Sequence, residues 1–349
     1  MLDPRRVLIT LTAATLLLAG CQGKTPTPAS TPTVAATPTA TPTPPPPPAI
    51  GTANAAQLRA AGSFTAAQVQ RMTWSTKGAL WVVSSSRVDT VAPDTGAVTK
   101  VLEVPAAERI LAVDPGGLAA VAAGATVRLV DVATGTTRHT LAAGGGVNAA
   151  SFFGTKVVLV SGDAIGASIW DTGTGAKTGT LSGFQTAAPV YNVVVSPDGA
   201  RSAWVSRATL QCGDAAANTL GPRVQLEDFV STYAFAPDGR LFATTTGTQG
   251  SGGAITGRVQ IWDPATGLET RRFEQSALFG ALAFAPKEPL LATGGDGFTL
   301  WSTVDGRPLL NVPLAEAGKV RQVAFSTDGA TLATLADDGS GKIWRVGSR

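Results

Sequence analysis

Short apolar triplets recur along this chain at intervals of about forty residues, and a polar turn follows each of them. The residues that end the triplets are separated by 39, 39, 43, 40, 49 and 41 positions. Alternation of apolar and polar side chains around each triplet is typical of a β-strand that buries one face. Seven copies at this period predict seven similar β-sheet units. The triplets end at Trp74, Val113, Phe152, Val195, Phe235, Phe284 and Phe325.

Two further positions recur with the same spacing as the triplets, and we call each set of equivalent positions in the seven repeats a column. A turn residue follows the triplet by 22 or 23 positions in five repeats and by 32 in the fifth, and asparagine takes this place in the fourth. Glycine and asparagine are the residues that most readily accept positive φ, so this column predicts a tight turn. Five positions before each turn residue, and near the end of the chain, stand Val91, Val130, Trp170, Gly213, Trp262, Trp301 and Trp344.

Each repeat therefore predicts four antiparallel strands. The triplet lies on the first strand, and segments such as Ser196-Pro197-Asp198-Gly199 form the turn into the second. The third strand ends at the tryptophan column. The last repeat stops five residues after Trp344, whereas residues 54–59 precede the first triplet without a unit of their own. We expect the N-terminal segment to supply the missing fourth strand and so close a ring.

The dipeptides Trp170-Asp171 and Trp262-Asp263 give the chain a resemblance to the WD-repeat family over residues 54–349. The resemblance implies an all-β fold, a seven-bladed β-propeller of four-stranded antiparallel blades. The family's usual Gly-His dipeptide is missing, since His139 in the fourth strand of the second repeat is the only histidine. The ring is then expected to rely on apolar packing and strand hydrogen bonds. A sister propeller family, the quinoprotein-like group with its Asp-x-x-Thr-Gly turn, is the alternative.

The first fifty residues predict an export signal and a tether. Arg5 and Arg6 precede thirteen apolar residues, a length suited to a signal peptide rather than a membrane span. Leu18-Ala19-Gly20-Cys21 resembles the lipobox of bacterial lipoproteins, which implies cleavage before Cys21 and acylation of its thiol and amino group. Residues 24–48 contain ten prolines and eight threonines, a composition typical of an extended spacer. We assign residues 1–20 to a signal peptide, 21–50 to the lipidated cysteine and a disordered linker, and 51–349 to the propeller.

Charge and cysteine content narrow the function classes. Of 27 basic and 24 acidic residues, three basic and one acidic precede residue 51, so the body carries a net charge of +1. A nearly neutral body provides no electrostatic footprint for nucleic acid. With Cys21 lipidated, Cys212 has no disulfide partner, and we expect a buried and inert thiol.

The residues that could serve in catalysis or metal binding are explained by turns and by the core. Gly252 and Gly257 match phosphate-loop spacing, but Arg258 and Val259 replace the required Lys and Ser or Thr. A single histidine cannot build a His/Cys metal cluster, and its predicted outer strand does not suit a catalytic triad. The acidic residues in Pro-Asp-Gly and Asp-Asp-Gly segments are those that turns prefer. Trp74, Trp81 and Trp204 fall on strands and are interpreted as core. We predict no catalytic residue, metal ion or cofactor.

The fifth repeat carries nine or ten extra residues between its second and third strands, at 247–256. In WD-repeat propellers this connection lies on the face that most often receives partners, so we take it as a candidate partner loop. Its named candidates are Gly247, Gln249, Ser251, Ile255 and Thr256.

The resulting hypothesis is a monomeric, non-enzymatic scaffold, lipid-anchored on the extracytoplasmic side of a bacterial membrane. It would bind an unidentified protein or peptide of the cell envelope and no nucleic acid. The alternative is a propeller that binds or hydrolyses carbohydrate or another small ligand of the envelope. That alternative predicts acidic or aromatic side chains converging on the central channel.

Overall fold

A computed structural model of the chain describes residues 46–161, 166–183, 192–249, 255–275 and 279–347. Within these ranges the backbone forms 28 strands, a 3-10 turn at Ala55–Gln57 and a one-turn helix, α1, at Leu314–Ala317. No helix in the described ranges is long and apolar enough to cross a membrane. Cys21 and the lipobox lie outside the described residues.

The strands have the following bounds in chain order. They are β1 Leu58–Thr65, β2 Arg71–Trp74, β3 Leu80–Val83, β4 Arg87–Val91, β5 Val98–Glu103, β6 Arg109–Val113, β7 Leu118–Ala123, β8 Thr126–Asp131, β9 Thr137–Ala142, β10 Val147–Phe153, β11 Lys156–Ser161, β12 Gly166–Asp171, β13 Lys177–Ser182, β14 Asn192–Val195, β15 Arg201–Ser206, β16 Thr209–Asp214, β17 Thr219–Gln225, β18 Val230–Phe235, β19 Phe242–Gln249, β20 Ile255–Asp263, β21 Leu268–Gln275, β22 Ala281–Phe284, β23 Leu290–Gly295, β24 Gly297–Ser302, β25 Pro308–Pro313, β26 Val320–Phe325, β27 Thr331–Ala336 and β28 Ser340–Val346.

These strands build seven four-stranded antiparallel sheets, which are the blades of a propeller. Blades 1 to 6 are the consecutive groups β2–β5, β6–β9, β10–β13, β14–β17, β18–β21 and β22–β25. Blade 7 has the order β26, β27, β28, β1 from inside to outside. The predicted all-β, seven-bladed propeller is confirmed.

Ring closure by the N-terminal segment is also confirmed. Strand β1 pairs antiparallel with β28, from Leu58 opposite Val346 to Thr65 opposite Ser340. The strand begins at Leu58, because the residues just before it form the 3-10 turn rather than extended backbone. Phe64 of β1 is buried over Gly341 of β28, where a Cβ would fall 2.1 Å from the Phe64 ring. Glycine at 341 therefore makes room for the ring that closes the propeller.

The turn column predicted from the sequence has the predicted backbone. All five of its glycines and Asn218 have positive φ, and φ of Asn218 is 52°. Five of these six turns lie against the outer strand of the preceding blade, and Gly135 is the exception. At Gly96, for example, a Cβ would fall 2.0 Å from the carbonyl oxygen of Ser63 in β1. The column thus joins neighbouring blades at the rim as well as closing each turn.

The hydrophobic core is divided into seven clusters, one between each pair of adjacent blades. Each cluster either includes one of the seven tryptophans or has one packed against it. Where the third strand lacks tryptophan, a neighbouring strand supplies it: Trp74 for blades 7 and 1, Trp81 for blades 1 and 2, and Trp204 for blades 3 and 4. The other four clusters hold Trp170, Trp262, Trp301 and Trp344. Trp74 and Trp204 are buried in these clusters and Trp81 is half-buried against one, so the prediction of core or blade packing for all three is confirmed.

Apolar packing and strand hydrogen bonds are not the whole of the stabilisation, contrary to our expectation. In three blades the buried indole N–H of the tryptophan column donates to a buried threonine hydroxyl of the second strand. The distances from Nε1 to Oγ1 are 3.0 Å for Trp262 and Thr244, 2.8 Å for Trp301 and Thr293, and 2.9 Å for Trp344 and Thr334. These bonds satisfy polar groups that would otherwise be buried without a partner.

Candidate functional site

The insertion in blade 5 extends a β-hairpin. Strands β19 and β20 stay paired through Gly247 opposite Gly257, Thr248 opposite Thr256, and Gln249 opposite Ile255. Four of the five candidate residues therefore lie on strands rather than in a loop, and Ser251 lies outside the described residues. A run of threonines from 244 to 246 favours this extension, because β-branched side chains suit a pleated sheet.

This hairpin lies on the face of the ring that we call the connection face. It is formed by the links from one blade to the next and by the turns between second and third strands. Antiparallel pairing places all of these at the same end of the blades. The link between blades 4 and 5, residues 226–229, enters β18 beside the base of the hairpin.

Arg258, on the third strand of blade 5, joins this link to the hairpin. Its Nη1 lies 2.7 Å from Oδ2 of Asp228 and 3.1 Å from Oε2 of Glu227. Its Nε lies 2.9 Å from Oε1 of Glu274 on the fourth strand. The Arg258 side chain is only 20% exposed and Asp228 only 9%, so the pair between them is less screened than a surface ion pair.

A second guanidinium extends the network outward. Arg272 places Nη1 3.1 Å from Glu227 Oε1 and Nε 2.8 Å from Glu269 Oε1. Burial raises the pKa of Glu269, but hydrogen bonds from Arg272 and Gln260 outweigh it and leave the pKa below its ordinary value. The network contains four carboxylates and two guanidinium groups, and therefore has an excess of two negative charges.

Phe229 adds a large apolar surface to this acidic region. The side chain follows Asp228 directly and is 65% exposed. The guanidinium carbon of Arg207, in the turn between β15 and β16, lies 5.8 Å from the ring centroid. Protein interfaces favour aromatic rings at their centres and polar or charged groups at the surrounding rim. We call Glu227, Asp228, Phe229 and Glu274 the acidic–aromatic patch.

This patch was not predicted from the sequence. Its signal was present as Glu-Asp-Phe in the link at residues 227–229, where two acids precede an exposed aromatic ring. The ion pairs between its elements join residues 16 to 45 positions apart, for example Asp228 and Arg258 at 30. Pairing of that kind is set by the blade topology rather than by local sequence.

The residues rejected as catalytic occupy structural positions. His139 lies on outer strand β9 as predicted, and its Nε2 is 2.9 Å from the carbonyl oxygen of Gly173 in the next blade. The turn aspartates accept local hydrogen bonds: Asp198 from the Ser196 hydroxyl at 2.5 Å and Asp238 from the Arg240 amide at 3.0 Å. Across the described ranges, no group of three His, Cys, Asp or Glu residues is arranged to hold a metal ion.

Cys212 is buried and unpaired, as predicted. Burial, together with the charge of Asp263, raises the pKa of its thiol from 9.0 to about 12. The thiol is therefore protonated near neutral pH, which accounts for the expected lack of reactivity.

The central channel is surrounded by the first strands of the seven blades. These strands, all described, contain three charged residues, and all three are arginines: Arg71, Arg109 and Arg321. The small-ligand or hydrolytic alternative predicts acidic or aromatic side chains converging on the channel. These strands contribute no carboxylate, but they carry aromatic residues, among them Tyr233. The charge that they bring to the channel is positive.

Comparison with known proteins agrees with the geometry. Residues 309–345 match the family model described as "WD domain, G-beta repeat", which corresponds to β25 through most of β28. The chain is also similar to a chain of the "Crystal Structure of Mitotic Checkpoint Complex", at 22% identity and a TM-score of 0.68, over 84% of this chain and 96% of that one. The chain therefore contains a WD40 repeat within a seven-bladed propeller, and a likeness at this identity shows the fold alone.

Proposed function

We propose that this protein is a non-enzymatic scaffold that binds a protein partner through the connection face of blades 4 and 5. The observation that carries the proposal is the acidic–aromatic patch at the base of the extended hairpin. WD40 propellers typically act as interaction scaffolds, and the similar chain named above belongs to a protein complex, which supports a binding role. The partner expected from the patch is a segment with lysine or arginine next to an apolar side chain.

The physical case for a partner rests on how the patch is held. Arg258 bridges the link and the hairpin, so the carboxylates of Glu227 and Glu274 are oriented before any partner arrives. A surface already fixed in its bound arrangement loses less side-chain entropy on association. With Arg207 beside the Phe229 ring included, the carboxylates still exceed the guanidinium groups by one, which favours the approach of a basic segment, and the ring then supplies apolar area to bury.

We also propose that the scaffold is lipid-anchored through Cys21 and faces the cell envelope of a bacterium. The basic residues, the thirteen-residue apolar segment and the lipobox-like sequence before Cys21 support this location. Two or three acyl chains hold a protein on a membrane far more firmly than one. Replacing Cys21 by alanine should abolish both cleavage and acylation, measured by metabolic fatty-acid labelling and intact mass. A Cys21→Ala chain with the same labelled mass as the wild type would contradict this assignment.

The binding role is tested by crosslinking in cells, with identification of captured proteins by mass spectrometry. We expect a reproducible set of partners to be lost with Phe229→Ala and with a Glu227→Gln, Glu274→Gln double variant. The matched control is Leu268→Ala, because Leu268 is similarly exposed, at 67%, and begins the fourth strand of the same blade, at the end opposite the connection face. If the patch variants and the control capture the same proteins, the proposed binding face is wrong.

A further inference from the structure

Three arginines begin the inner strands of three consecutive blades. Arg321 is the second residue of β26 in blade 7, and Arg71 and Arg109 are the first residues of β2 in blade 1 and β6 in blade 2. All first strands start at the connection face, because the blade-to-blade links enter there. The three side chains therefore lie around one arc of the channel mouth at the same end of the ring.

Arg71 interacts across the channel. Its charge acts on the phenol of Tyr233, which belongs to the first strand of blade 5, on the far side of the ring from blade 1. Solvent reaches the Arg71 side chain, yet surrounding protein lowers its pKa through burial. Arg71 is thus exposed to solvent on an innermost strand that borders the channel, with protein around it.

Among the described residues, two buried polar atoms of the inner strands lack a hydrogen-bond partner. Nε of Arg321 and Oδ1 of Asn192 are buried without a hydrogen bond among the described residues. Asn192 interacts with the Tyr233 phenol through its side chain, and burial raises the pKa of that phenol, so its hydroxyl is protonated near neutral pH. A buried N–H without an acceptor costs stability in a closed core, but it is a ready donor to a ligand.

The charges of the three arginines are not neutralised by neighbouring acids. None of the three forms an ion pair with any carboxylate of the described residues. The acid next in sequence to Arg109 is Glu108, and it is paired with Arg128. Arg109 instead donates from Nη2 to the carbonyl oxygen of Val147 at 2.6 Å, which holds it at the rim of the channel.

We propose that the mouth of the central channel binds an oxyanion, a carboxylate or phosphate group, between Arg71 and Arg321, with the Tyr233 hydroxyl as a further donor. Guanidinium groups bind such planar or tetrahedral oxyanions through paired N–H donors. Low-dielectric channel walls strengthen the attraction relative to an exposed surface. Arg109 at the rim adds to the attraction of the anion. The site is separate from the acidic–aromatic patch and does not depend on the proposed partner binding.

The experiment measures anion binding by isothermal titration of the full-length protein in detergent micelles. The probes are inorganic phosphate, an oligoglutamate peptide and an oligoglutamine peptide of the same length. Binding of phosphate would show that a small free anion is a sufficient ligand. Binding of the oligoglutamate peptide but not of phosphate would show that the ligand is a carboxylate carried on a peptide chain. The oligoglutamine peptide should not bind. Failure of both anions to bind overturns the proposal.

Substitutions of the channel arginines test whether the anion binds in the channel. Arg71→Gln and Arg321→Gln should each weaken binding about tenfold or more, since each removes a charge-assisted donor pair. Arg71→Lys keeps the charge but loses the paired geometry and should fall between Arg71→Gln and the wild type. The control is Arg307→Gln, because Arg307 is exposed on an outer turn and paired with Asp305. Circular dichroism melting confirms that each variant is folded. Equal weakening by the control and the channel variants would mean non-specific charge attraction and would overturn the site.

Discussion

Replacing Phe64 by alanine tests whether strand β1 holds the ring closed. Phe64 is 5% exposed and belongs to the core between blades 7 and 1, together with Met72 and Trp74. Its ring lies over Gly341, which has no side chain that could move into the vacated space. The residue comes from the N-terminal end of the chain, whereas the surface that it covers comes from the C-terminal blade. Its loss therefore weakens closure rather than a single local hairpin.

The expected cost follows from burial and cavity formation. Transfer of a phenylalanine side chain out of water contributes about 1.5–3 kcal/mol. The unfilled cavity adds to this, so that Phe→Ala substitutions in cores cost about 3–5 kcal/mol. For a body of this size each kcal/mol lowers the melting temperature by roughly 2 °C, which gives a fall of about 6–10 °C.

The assay is urea and thermal unfolding followed by tryptophan fluorescence. Trp74 reports on this interface because it shares the cluster, and its indole N–H donates across the closure to the carbonyl oxygen of Ala324 at 3.0 Å. The control is the same substitution at Phe229, which is exposed and should change stability by no more than about 0.5 kcal/mol. Equal stability of the Phe64→Ala and Phe229→Ala variants would refute closure by β1.

Three further substitutions test other parts of the fold. The Cys212 thiol should resist a thiol reagent at pH 8 until the protein is unfolded. Because its folded pKa is raised to about 12, its contribution to stability is complete below the unfolded pKa near 9.0, and above that pH the free energy of unfolding falls by about 1.4 kcal/mol per pH unit. A Cys212→Ala variant should lack this slope in denaturation measured from pH 8 to 11. Asn218→Ala should lower the free energy of unfolding by about 1–2 kcal/mol, because alanine disfavours the positive φ and loses the hydrogen bonds to Ser182. Asn218→Gly loses the same bonds but accepts positive φ, so it should cost less. Equal urea midpoints for the two variants would contradict a requirement for positive φ at this turn. Thr334→Val leaves the Trp344 N–H buried without an acceptor and should cost about 1–3 kcal/mol in the same assay, and an unchanged midpoint would show that the bond contributes little.

Much of the fold is predictable because each sequence pattern occurs in several repeats, and each occurrence supports the same structural prediction. Seven triplets at one spacing define the blades even where a single strand, such as Val193-Val194-Val195, is ambiguous alone. The positive φ of the turn column follows from residue type, and Asn218 was identified by its place in that column. The missing tryptophan of blade 4 was not explained by the sequence. At Gly213 a Cβ would fall 2.3 Å from the carbonyl oxygen of Thr219, and Trp204 fills the neighbouring core from the second strand.

The candidate sites were less predictable, for a physical reason. The insertion was found from its length, but its extension as paired strands and its ion pairs with residues 227–228 depend on contacts between blades. The three channel arginines are visible in the sequence. Their common arc follows only when the ring brings blades 7, 1 and 2 together. Residues distant in the chain become neighbours through closure, which no local pattern encodes.

The division of the core explains how one ring can carry two independent binding surfaces. Each cluster lies between two adjacent blades and has its own tryptophan, so stability is a sum of local interfaces rather than one shared core. Phe229, Arg71 and Arg321 belong to none of these clusters, whereas Tyr233 of the proposed anion site packs against the cluster between blades 4 and 5. Substitutions of Phe229, Arg71 or Arg321 should therefore leave the tryptophan fluorescence unchanged while they abolish binding. If a variant lost both binding and its native tryptophan fluorescence, the binding surface would be coupled to an interface between blades. That result would contradict the independence of the two surfaces.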